Sequence, residues 1–351
     1  MNTKVTIKDI ARIAGVSVST VSRAINDDNE VSKKTKEKID AIIREQNYRP
    51  SMLARGMVSK RTNMIALIVS DITNPYFYQF IANIEETLID QGYTLSLFDT
   101  QTANAHSDSK KKEIEINIFK QIQENNFDAV ILLGGLIDRV TLDDEYLTGL
   151  QNLANDIPTI IVGRRISQLN NKNAKIIFIE RDQELVTQFL VTHVIKKGYK
   201  KIAFIGGNAS GWVTVARVNA FKNTLRQHGL AFNKQRVVNN NFYAQDGYDG
   251  VLHLLERNVE FDAIIAINDR VAQGVIRGLI DVVEESTKIG VASCEHFTES
   301  IFNNPRITSV DHNLKDLSKL TVETLISLVE GSEMVEEAQK ILPRLVLGES
   351  I

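Results

Sequence analysis

The chain has 351 residues, 43% of them hydrophobic, so it is too long for one ordinary domain and can fill two or three packed cores. Its single cysteine, Cys294, excludes an intrachain disulfide and fits a reducing compartment. The segment MNTKVTIKD has no apolar signal-peptide core, and no apolar run approaches the length of a membrane span. These features predict a cytoplasmic protein that does not enter a membrane.

The overall charge of −3 conceals two regions of opposite sign. Residues 1–61 contain 13 Lys and Arg against 7 Asp and Glu, a net charge of +6. The rest of the chain contains 28 basic and 37 acidic residues, a net charge of −9. A basic head on an acidic body predicts a polyanionic partner for the head alone.

The first helix of the head is predicted by apolar residues at the spacing of one buried helical face. Thr6, with Asp9 three residues later, has the pattern of a capping box at the amino end of this helix. Gly15 is the residue type expected just past its carboxyl end. The buried face consists of Ile7, Ile10, Ala11 and Ala14.

A second helix, from Ser17 to Ile25, has one apolar side and one polar arc. The arc offers hydroxyls, an amide, a guanidinium and a methyl-bearing edge, which are the groups that read base edges in the DNA major groove. Two short helices joined by a glycine turn therefore predict a helix-turn-helix. The alternative is a helical domain that merely packs, but the arc has no carboxylate, unlike an ordinary solvated face. The arc consists of Val18, Ser19, Ser22, Arg23 and Asn26.

A third helix is predicted from Ser32 as its cap and from isoleucines at 39, 42 and 43. Residues 51–61 then form a short helical pattern that Gly56 weakens. A helix of this length is marginal in water, so we expect a hinge that orders only against a partner. The alternative for this segment is a disordered linker.

Apolar runs of strand length recur along the body, separated mostly by amphipathic helical stretches. This alternation predicts parallel sheets covered by helices on both faces. Segments 127–135 and 261–269, FDAVILLGG and FDAIIAIND, repeat one pattern and predict two similar Rossmann-like lobes. Ligands of such folds bind at the carboxyl ends of the strands, here in the cleft between the lobes. The predicted strands are 64–70, 94–98, 129–134, 159–163, 175–179, 201–206, 262–267 and 288–293.

Several of these segments together resemble the lactose-repressor/galactose-repressor (LacI/GalR) family of bacterial transcription regulators. The head carries TIKDIARIAGVSVSTVSRAIN, NYRP and LARGM. The body carries SDITNPYFYQFIANIE, HVIKKGYKKIAFIGG, RVNAFKNTL and NNPRITSVDHN in the order of the family's landmarks. The resemblance spans residues 4–347. It implies an all-α helix-turn-helix head followed by an α/β body of two Rossmann-like parallel sheets, similar to periplasmic binding proteins.

The resemblance also implies domain boundaries and DNA contacts. The head is expected at 1–50, the hinge at 51–61 and the effector-binding and dimerisation body at 62–351. The lobes of the body are expected to interweave, with 62–162 plus 291–320 in the first and 163–290 plus 321–351 in the second. Met57 stands where the family most often has a Leu wedge in the minor groove. The expected DNA-binding residues are Thr6, Ser17, Val18, Ser19, Thr20, Ser22, Arg23, Asn26, Tyr48, Arg49, Arg55 and Met57.

In the cleft, the resemblance implies that Arg217 binds sugar oxygens with its guanidinium fork and that Asn268 binds a hydroxyl. Glu295 replaces an Asp that often holds the effector, and Gly163 with Arg164 replaces an Asp-Arg pair of the family. The alternatives are a surface charge for Arg217 and core packing for each aromatic residue. The expected effector-binding residues are Asp71, Tyr76, Phe77, Arg164, Trp212, Arg217, Phe242, Asn268 and Glu295.

These observations predict a homodimeric transcriptional repressor that binds a pseudo-palindromic operator and responds to a sugar. A neutral sugar is favoured over a sugar phosphate because the body is acidic and carboxylates accept hydrogen bonds from hydroxyls. One alternative is a regulator controlled by a phosphoprotein partner, and another is a sugar-binding protein without a DNA role. The sequence has none of the motifs typical of metalloproteases, serine hydrolases or phosphate loops, so no enzyme, metal or cofactor is expected.

Overall fold

The computed structural model describes residues 5–25, 31–46, 48, 61–102, 107–169, 175–284, 288–331 and 341–351. These residues form an all-α head and an α/β body built on two separate sheets, which confirms the predicted fold class. Across these ranges, no helix is long and apolar enough to cross a membrane.

The head contains the three helices that the sequence predicts. The Asp9 carboxylate accepts hydrogen bonds from the Thr6 backbone N–H (3.0 Å) and from the Thr6 hydroxyl (2.6 Å), which fixes the start of the first helix. Gly15 ends this helix at a φ of 69°, a conformation that glycine adopts without steric strain. The helices are α1 (Ile7–Ala14), α2 (Val18–Ile25) and α3 (Lys33–Glu45).

A small apolar core holds these helices together, because each of the three packs against the other two. The predicted cap of α3 is present, since the Ser32 hydroxyl accepts a hydrogen bond from the Thr35 backbone N–H at 3.3 Å. Burial of each large apolar side chain contributes about 1.5–3 kcal/mol. The buried members of the core are Ile10, Ala11, Ala14, Val21, Ala24, Ile39, Ile42 and Tyr48.

The first lobe is a parallel sheet with helices on both faces. Its strands are β1 (Met64–Val69), β2 (Thr94–Asp99), β3 (Ala129–Leu133), β4 (Thr159–Gly163) and β5 (Ile176–Glu180). They lie in the order β2-β1-β3-β4-β5. Apolar clusters fill both faces of the sheet. The helices between the strands of this lobe are α4 (Pro75–Asp90), α5 (Asp108–Glu124) and α6 (Asp144–Asp156).

The second lobe repeats this plan with one continuous core. Its strands are β6 (Ile202–Ile205), β7 (Val237–Val238), β8 (Ala263–Ala266), β9 (Gly290–Ser293), β10 (Thr308–Asp311) and β11 (Arg344–Val346). They lie in the order β11-β10-β9-β8-β6-β7, and only the β10–β11 pair is antiparallel. Its helices are α7 (Gln183–Lys196), α8 (Trp212–Gln227), α9 (Ala244–Glu256) and α10 (Asp269–Val282), and the chain adds a last helix, α11 (Leu314–Glu330).

The lobes interweave, but the chain crosses between them at other positions than predicted. Residues 176–180 were expected in the second lobe, yet β5 pairs with β4 in the first sheet, where Thr159 lies opposite Ile176. Residues 291–320 were expected in the first lobe, yet β9 and β10 belong to the second sheet. In turn α11 packs against α4 of the first lobe. The physical reason is strand pairing, because each short strand joins the sheet that offers it a hydrogen-bonding edge.

Candidate functional site

The exposed side of α2 is the candidate DNA-reading surface. Ser17, Val18, Ser19 and Arg23 are exposed there, and Val18 retains 41% of its accessible surface. The Ser17 hydroxyl accepts a hydrogen bond from the Thr20 backbone N–H at 3.1 Å and so caps the helix. This cap presents the amino-terminal end of α2 with apolar, hydroxyl and guanidinium groups on one surface, as major-groove readout requires.

Two residues predicted to contact DNA are not on this surface. Ser22 is only 4% exposed, in the helix α2 that packs against α3. Tyr48 is 8% exposed and belongs to the core of the head. The burial of these two side chains therefore does not support the prediction that they contact DNA. Thr6 is exposed and Thr20 is half-buried. The remaining predicted contacts, Asn26, Arg49, Arg55 and Met57, lie outside the described residues.

A cleft of about 180 Å³ lies between the lobes of the body. Both walls carry side chains that follow the carboxyl ends of strands, such as Asp71 after β1 and Asn268 after β8. This is the position at which open α/β sheets bind ligands. A water-sized site needs about 10–15 Å³, so the cleft has room for about a dozen such sites.

The structure brings together seven of the nine predicted effector-binding residues. Arg164 and Trp212 do not line the cleft. The Arg164 guanidinium instead donates to the Ile137 carbonyl at 3.2 Å and lies 5.9 Å from the centre of the Trp212 ring. These two residues therefore pack against each other and support the turn after β3. The seven that line the cleft are Asp71, Tyr76, Phe77, Arg217, Phe242, Asn268 and Glu295.

Arg217 is almost completely buried, with 1% of its surface exposed, which excludes the alternative that it is a surface charge. Its Nε donates to Gln183 Oε1 at 2.8 Å, and a second nitrogen donates to the Ile267 carbonyl at 2.5 Å. A third nitrogen lies 3.4 Å from Nε2 of His312. Burial lowers the pKa of His312 well below its ordinary value, so its ring is neutral beside this cation.

Glu295 is held by a second arginine that the sequence reading missed. An Arg181 terminal nitrogen donates to Glu295 Oε1 at 2.9 Å, and the Arg181 guanidinium lies 4.4 Å from the centre of the Tyr76 ring. Arg217 lies 3.8 Å from the other oxygen of Glu295. Arg181 follows β5 of the first lobe and Glu295 follows β9 of the second, so this ion pair joins the two lobes at the floor of the cleft.

Further contacts between the lobes lie beside the cleft. The Tyr243 hydroxyl, in the second lobe, donates to Asp71 Oδ2 at 2.6 Å. On another side, the Val140 backbone N–H donates to the Ser210 carbonyl at 3.0 Å, and the Arg139 guanidinium donates to the Ser210 hydroxyl. The lobes are therefore joined by hydrogen bonds around the cleft in this structure.

Sequence reasoning missed other charged residues that line the cleft, namely Lys111, Asp138, Arg139 and Arg181. Asp138 ends the short 3-10 turn Leu136–Asp138 that follows β3. Burial raises the pKa of Asp138 to about 6, and the positive charges of Arg181 and Arg164 oppose this shift. Its place directly after a predicted strand was the one available signal, because strand ends of such folds face the ligand.

The described residues contain no group of three or more His, Cys, Asp or Glu side chains that is arranged to hold a metal ion. The polar groups of the cleft are amides, carboxylates and guanidinium groups from both lobes. Such a set binds a small polar molecule through hydrogen bonds and ionic contacts.

Comparisons with known proteins agree with this architecture. The family model "Bacterial regulatory proteins, lacI family" matches residues 6–51. The model "Periplasmic binding proteins and sugar binding domain of LacI family" matches residues 62–341. Catabolite control protein A of Staphylococcus xylosus is 30% identical over 344 residues, which cover 97% of each chain. The transcriptional repressor PurR of Histophilus somni is 27% identical over 99% of this chain and 98% of its own.

Solved structures show the same fold. The lac repressor dimer bound to operator and an anti-inducer matches with a TM-score of 0.81 at 21% identity, over 99% of both chains. The regulator CelR in complex with cellobiose matches with a TM-score of 0.68 at 22% identity, again over 99% of both chains. A helix-turn-helix head on a two-lobed ligand-binding body defines a DNA-binding transcriptional regulator, and these relatives are regulators, not enzymes. The chain belongs to the lacI family of bacterial regulatory proteins, which confirms the resemblance inferred from the sequence.

Proposed function

We propose that this regulator is a cytoplasmic repressor that binds a pseudo-palindromic operator as a homodimer and senses a sugar in the cleft between its lobes. The main support for DNA binding is the exposed side of α2. It presents Val18, Ser19 and Arg23, it carries no carboxylate, and the head and hinge together (residues 1–61) have a net charge of +6. Phosphate contacts position such a head, while α2 distinguishes bases in the major groove.

Dimerisation is supported by exposed apolar side chains on the body, among them Ile280, Ile301 and Phe302. These side chains are 57%, 53% and 84% exposed. The last two lie in the turn Thr298–Phe302, which is tied to α10 by a hydrogen bond from Gln273 Nε2 to Asn303 Oδ1 at 3.2 Å. Adjacent exposed apolar side chains mark an interaction surface. A second copy of the chain is the natural occupant, because an operator with two half-sites needs two heads.

A sugar effector is supported by the composition of the cleft. Tyr76, Phe77 and Phe242 supply apolar surface, and the carboxylates, amides and guanidinium groups around them supply hydrogen bonds. This combination of apolar faces and fixed polar groups suits a carbohydrate. The family model that covers the body describes a sugar-binding domain, and the related CelR structure holds cellobiose.

The DNA-binding proposal is tested by selecting sequences from a random duplex library with the full-length protein. We expect a pseudo-palindromic consensus that the protein binds as a dimer. The logarithm of the affinity should fall with the logarithm of the salt concentration, with a slope of about −0.9 per phosphate contact. Enrichment of no sequence, or a slope near zero, would exclude an operator-binding role.

A further inference from the structure

Most of the polar groups that were expected to bind the effector are already bound within the protein. The Asp71 carboxylate accepts hydrogen bonds from Thr73 and Tyr243. The Asn268 side chain accepts from the Val271 N–H at 2.9 Å and donates to the Phe242 carbonyl at 3.0 Å. Asp71 thus uses three of its about four acceptor sites, and Asn268 keeps about one donor and one acceptor site for a ligand.

The same is true of the two strongest charges at the floor of the cleft. Arg217 donates to Gln183 and to the Ile267 carbonyl, and Glu295 accepts from Arg181. Glu295 therefore holds Arg181 in place over Tyr76. An effector that used Glu295 Oε1 would compete with this buried ion pair, and breaking a buried pair is strongly unfavourable.

Two charged groups that line the cleft differ from these. The side chains of Asp138 and Lys111 make no hydrogen bond or close ion pair within the part of the chain that the structure describes, although the positive charges of Arg181 and Arg164 act on Asp138. Asp138 projects from the turn after β3 and its Oδ1 lies beside Gly163, 3.5 Å from the point where a Cβ would stand. Gly163 has a φ of 140°, so this position favours glycine and leaves room for the Asp138 carboxylate.

We propose that Asp138 determines effector specificity by accepting hydrogen bonds from the hydroxyls of a neutral sugar, with the Lys111 ammonium as a donor to the same ligand. This inference rests on the proposed sugar-sensing function and adds the residue that selects the ligand. Arg181 and Glu295 act as positioning residues that shape the floor of the cleft.

The chemistry of an ionised carboxylate sets the class of ligand. It only accepts hydrogen bonds, and its two oxygens offer about four acceptor sites, so it matches a ligand with several hydroxyl donors. A phosphate or carboxylate group beside Asp138 would meet like charge. In the ligand-free protein, burial raises the pKa of the Asp138 carboxyl to about 6. A residue that lowers stability in the free protein and gains partners from a ligand is typical of a binding site.

The test is binding calorimetry on the full-length protein with glucose, galactose, maltose, cellobiose and glucose 6-phosphate, each up to about 10 mM. At least one neutral sugar should bind, and glucose 6-phosphate should bind no more tightly than glucose. Asp138→Asn should weaken binding of that sugar at least about tenfold, because a charged hydrogen bond is replaced by a neutral one. Asp144→Asn, which removes an exposed carboxylate of α6 outside the cleft, is the matched control and should bind like the wild type.

Thermal unfolding of the ligand-free variants separates a binding defect from misfolding. Asp138→Asn should unfold at the same temperature as the wild type or a higher one, because burial disfavours the ionised carboxylate more than the nearby arginines stabilise it, and asparagine carries no charge. Three results would each overturn the inference. They are unchanged sugar binding by Asp138→Asn, tighter binding of glucose 6-phosphate than of glucose, and no binding of any neutral sugar in the panel. The DNA selection described above is independent of all three outcomes, so a failure here is distinguishable from failure of the operator-binding role.

Discussion

Glu115→Gln should remove a large part of the pH dependence of folding stability. Glu115 lies in α5 beneath the cleft and is 1% exposed. Its carboxylate accepts hydrogen bonds from the Leu136 backbone N–H at 2.9 Å and from the Thr102 hydroxyl at 3.2 Å. Burial nevertheless raises its pKa to about 7, against an ordinary value of 4.5. Gln keeps the accepting oxygen and the shape, and it has no charge at any pH.

The expected change in folding free energy follows from the shift in the pKa of Glu115. A rise from 4.5 to about 7 corresponds to roughly 3 kcal/mol between the protonated and ionised forms. Because the folded state holds this proton more tightly than the unfolded state, the contribution to stability is fully present below pH 4.5 and is lost as the pH rises through about 7. Glu115→Gln should therefore resemble the wild type in acid and exceed it by up to roughly 3 kcal/mol at higher pH.

Urea unfolding of the full-length protein from about pH 6.5 to about pH 8 measures this difference. This window separates Glu115 from Asp138 and Asp269, whose pKa values burial raises to about 6. At the lower end of this window His312 is partly protonated in the unfolded state, which acts with the opposite sign but equally on the wild type and the variant, so it cancels in their difference. Glu113→Gln, on the exposed side of the same helix, is the control and should keep the wild-type slope. If Glu115→Gln also kept that slope, the assignment of the proton to this buried carboxyl would be refuted.

The remaining predictions concern DNA binding and assembly. Arg23→Ala should cost about 1–3 kcal/mol on the selected operator and relax the preference at one base pair, whereas an equal loss on all sequences would make Arg23 a phosphate contact. Met57→Ala should reduce the ratio of specific to non-specific affinity without changing the latter, as measured by anisotropy with operator and random duplexes. Phe302→Glu should shift the protein toward monomers in sedimentation velocity, while Thr298→Ala, at an exposed position of the same turn, serves as a control; a Phe302→Glu dimer of wild-type strength would exclude this surface.

The sequence predicted the structure correctly where it depends on neighbouring residues within a single helix or strand. Gly15 ends α1 and Ser32 caps α3 as predicted, because capping depends on a few neighbouring residues. All eight predicted strands are present. The strands that were missed are β7 (Val237–Val238), β10 (Thr308–Asp311) and β11 (Arg344–Val346), which are short and, unlike the predicted strands, lack a longer apolar run. Their assignment to a sheet depends on pairing between distant segments, which also explains the misplaced crossings between the lobes.

The position of the cleft could be predicted from the sequence, because it depends on where the predicted strands end. Residues that follow strands, such as Asp71 and Asn268, were identified because strand order places them at one edge. Their hydrogen-bond partners were not predictable, since Tyr243 reaches Asp71 only when the second lobe approaches the first. The pairing of Glu295 with Arg181 likewise joins residues that are distant in the chain. Residue type alone therefore could not show that Glu295 forms an ion pair with Arg181 while the Asp138 side chain makes no hydrogen bond within the described residues.

The contacts between the lobes limit how an effector can act. Two of them, the Arg181–Glu295 ion pair and the Tyr243–Asp71 hydrogen bond, join the first lobe to the second beside the cleft. An effector changes the equilibrium between lobe arrangements only if it binds one arrangement better, typically by about 1–3 kcal/mol, which is the value of one or two hydrogen bonds. Asp138 and Lys111 both belong to the first lobe. A ligand that touched only these two residues would bind every lobe arrangement equally and shift none of them. An effector that switches this protein must therefore reach the second wall as well, where the aromatic ring of Phe242 and the remaining polar groups add contacts that exist only when the lobes are close together.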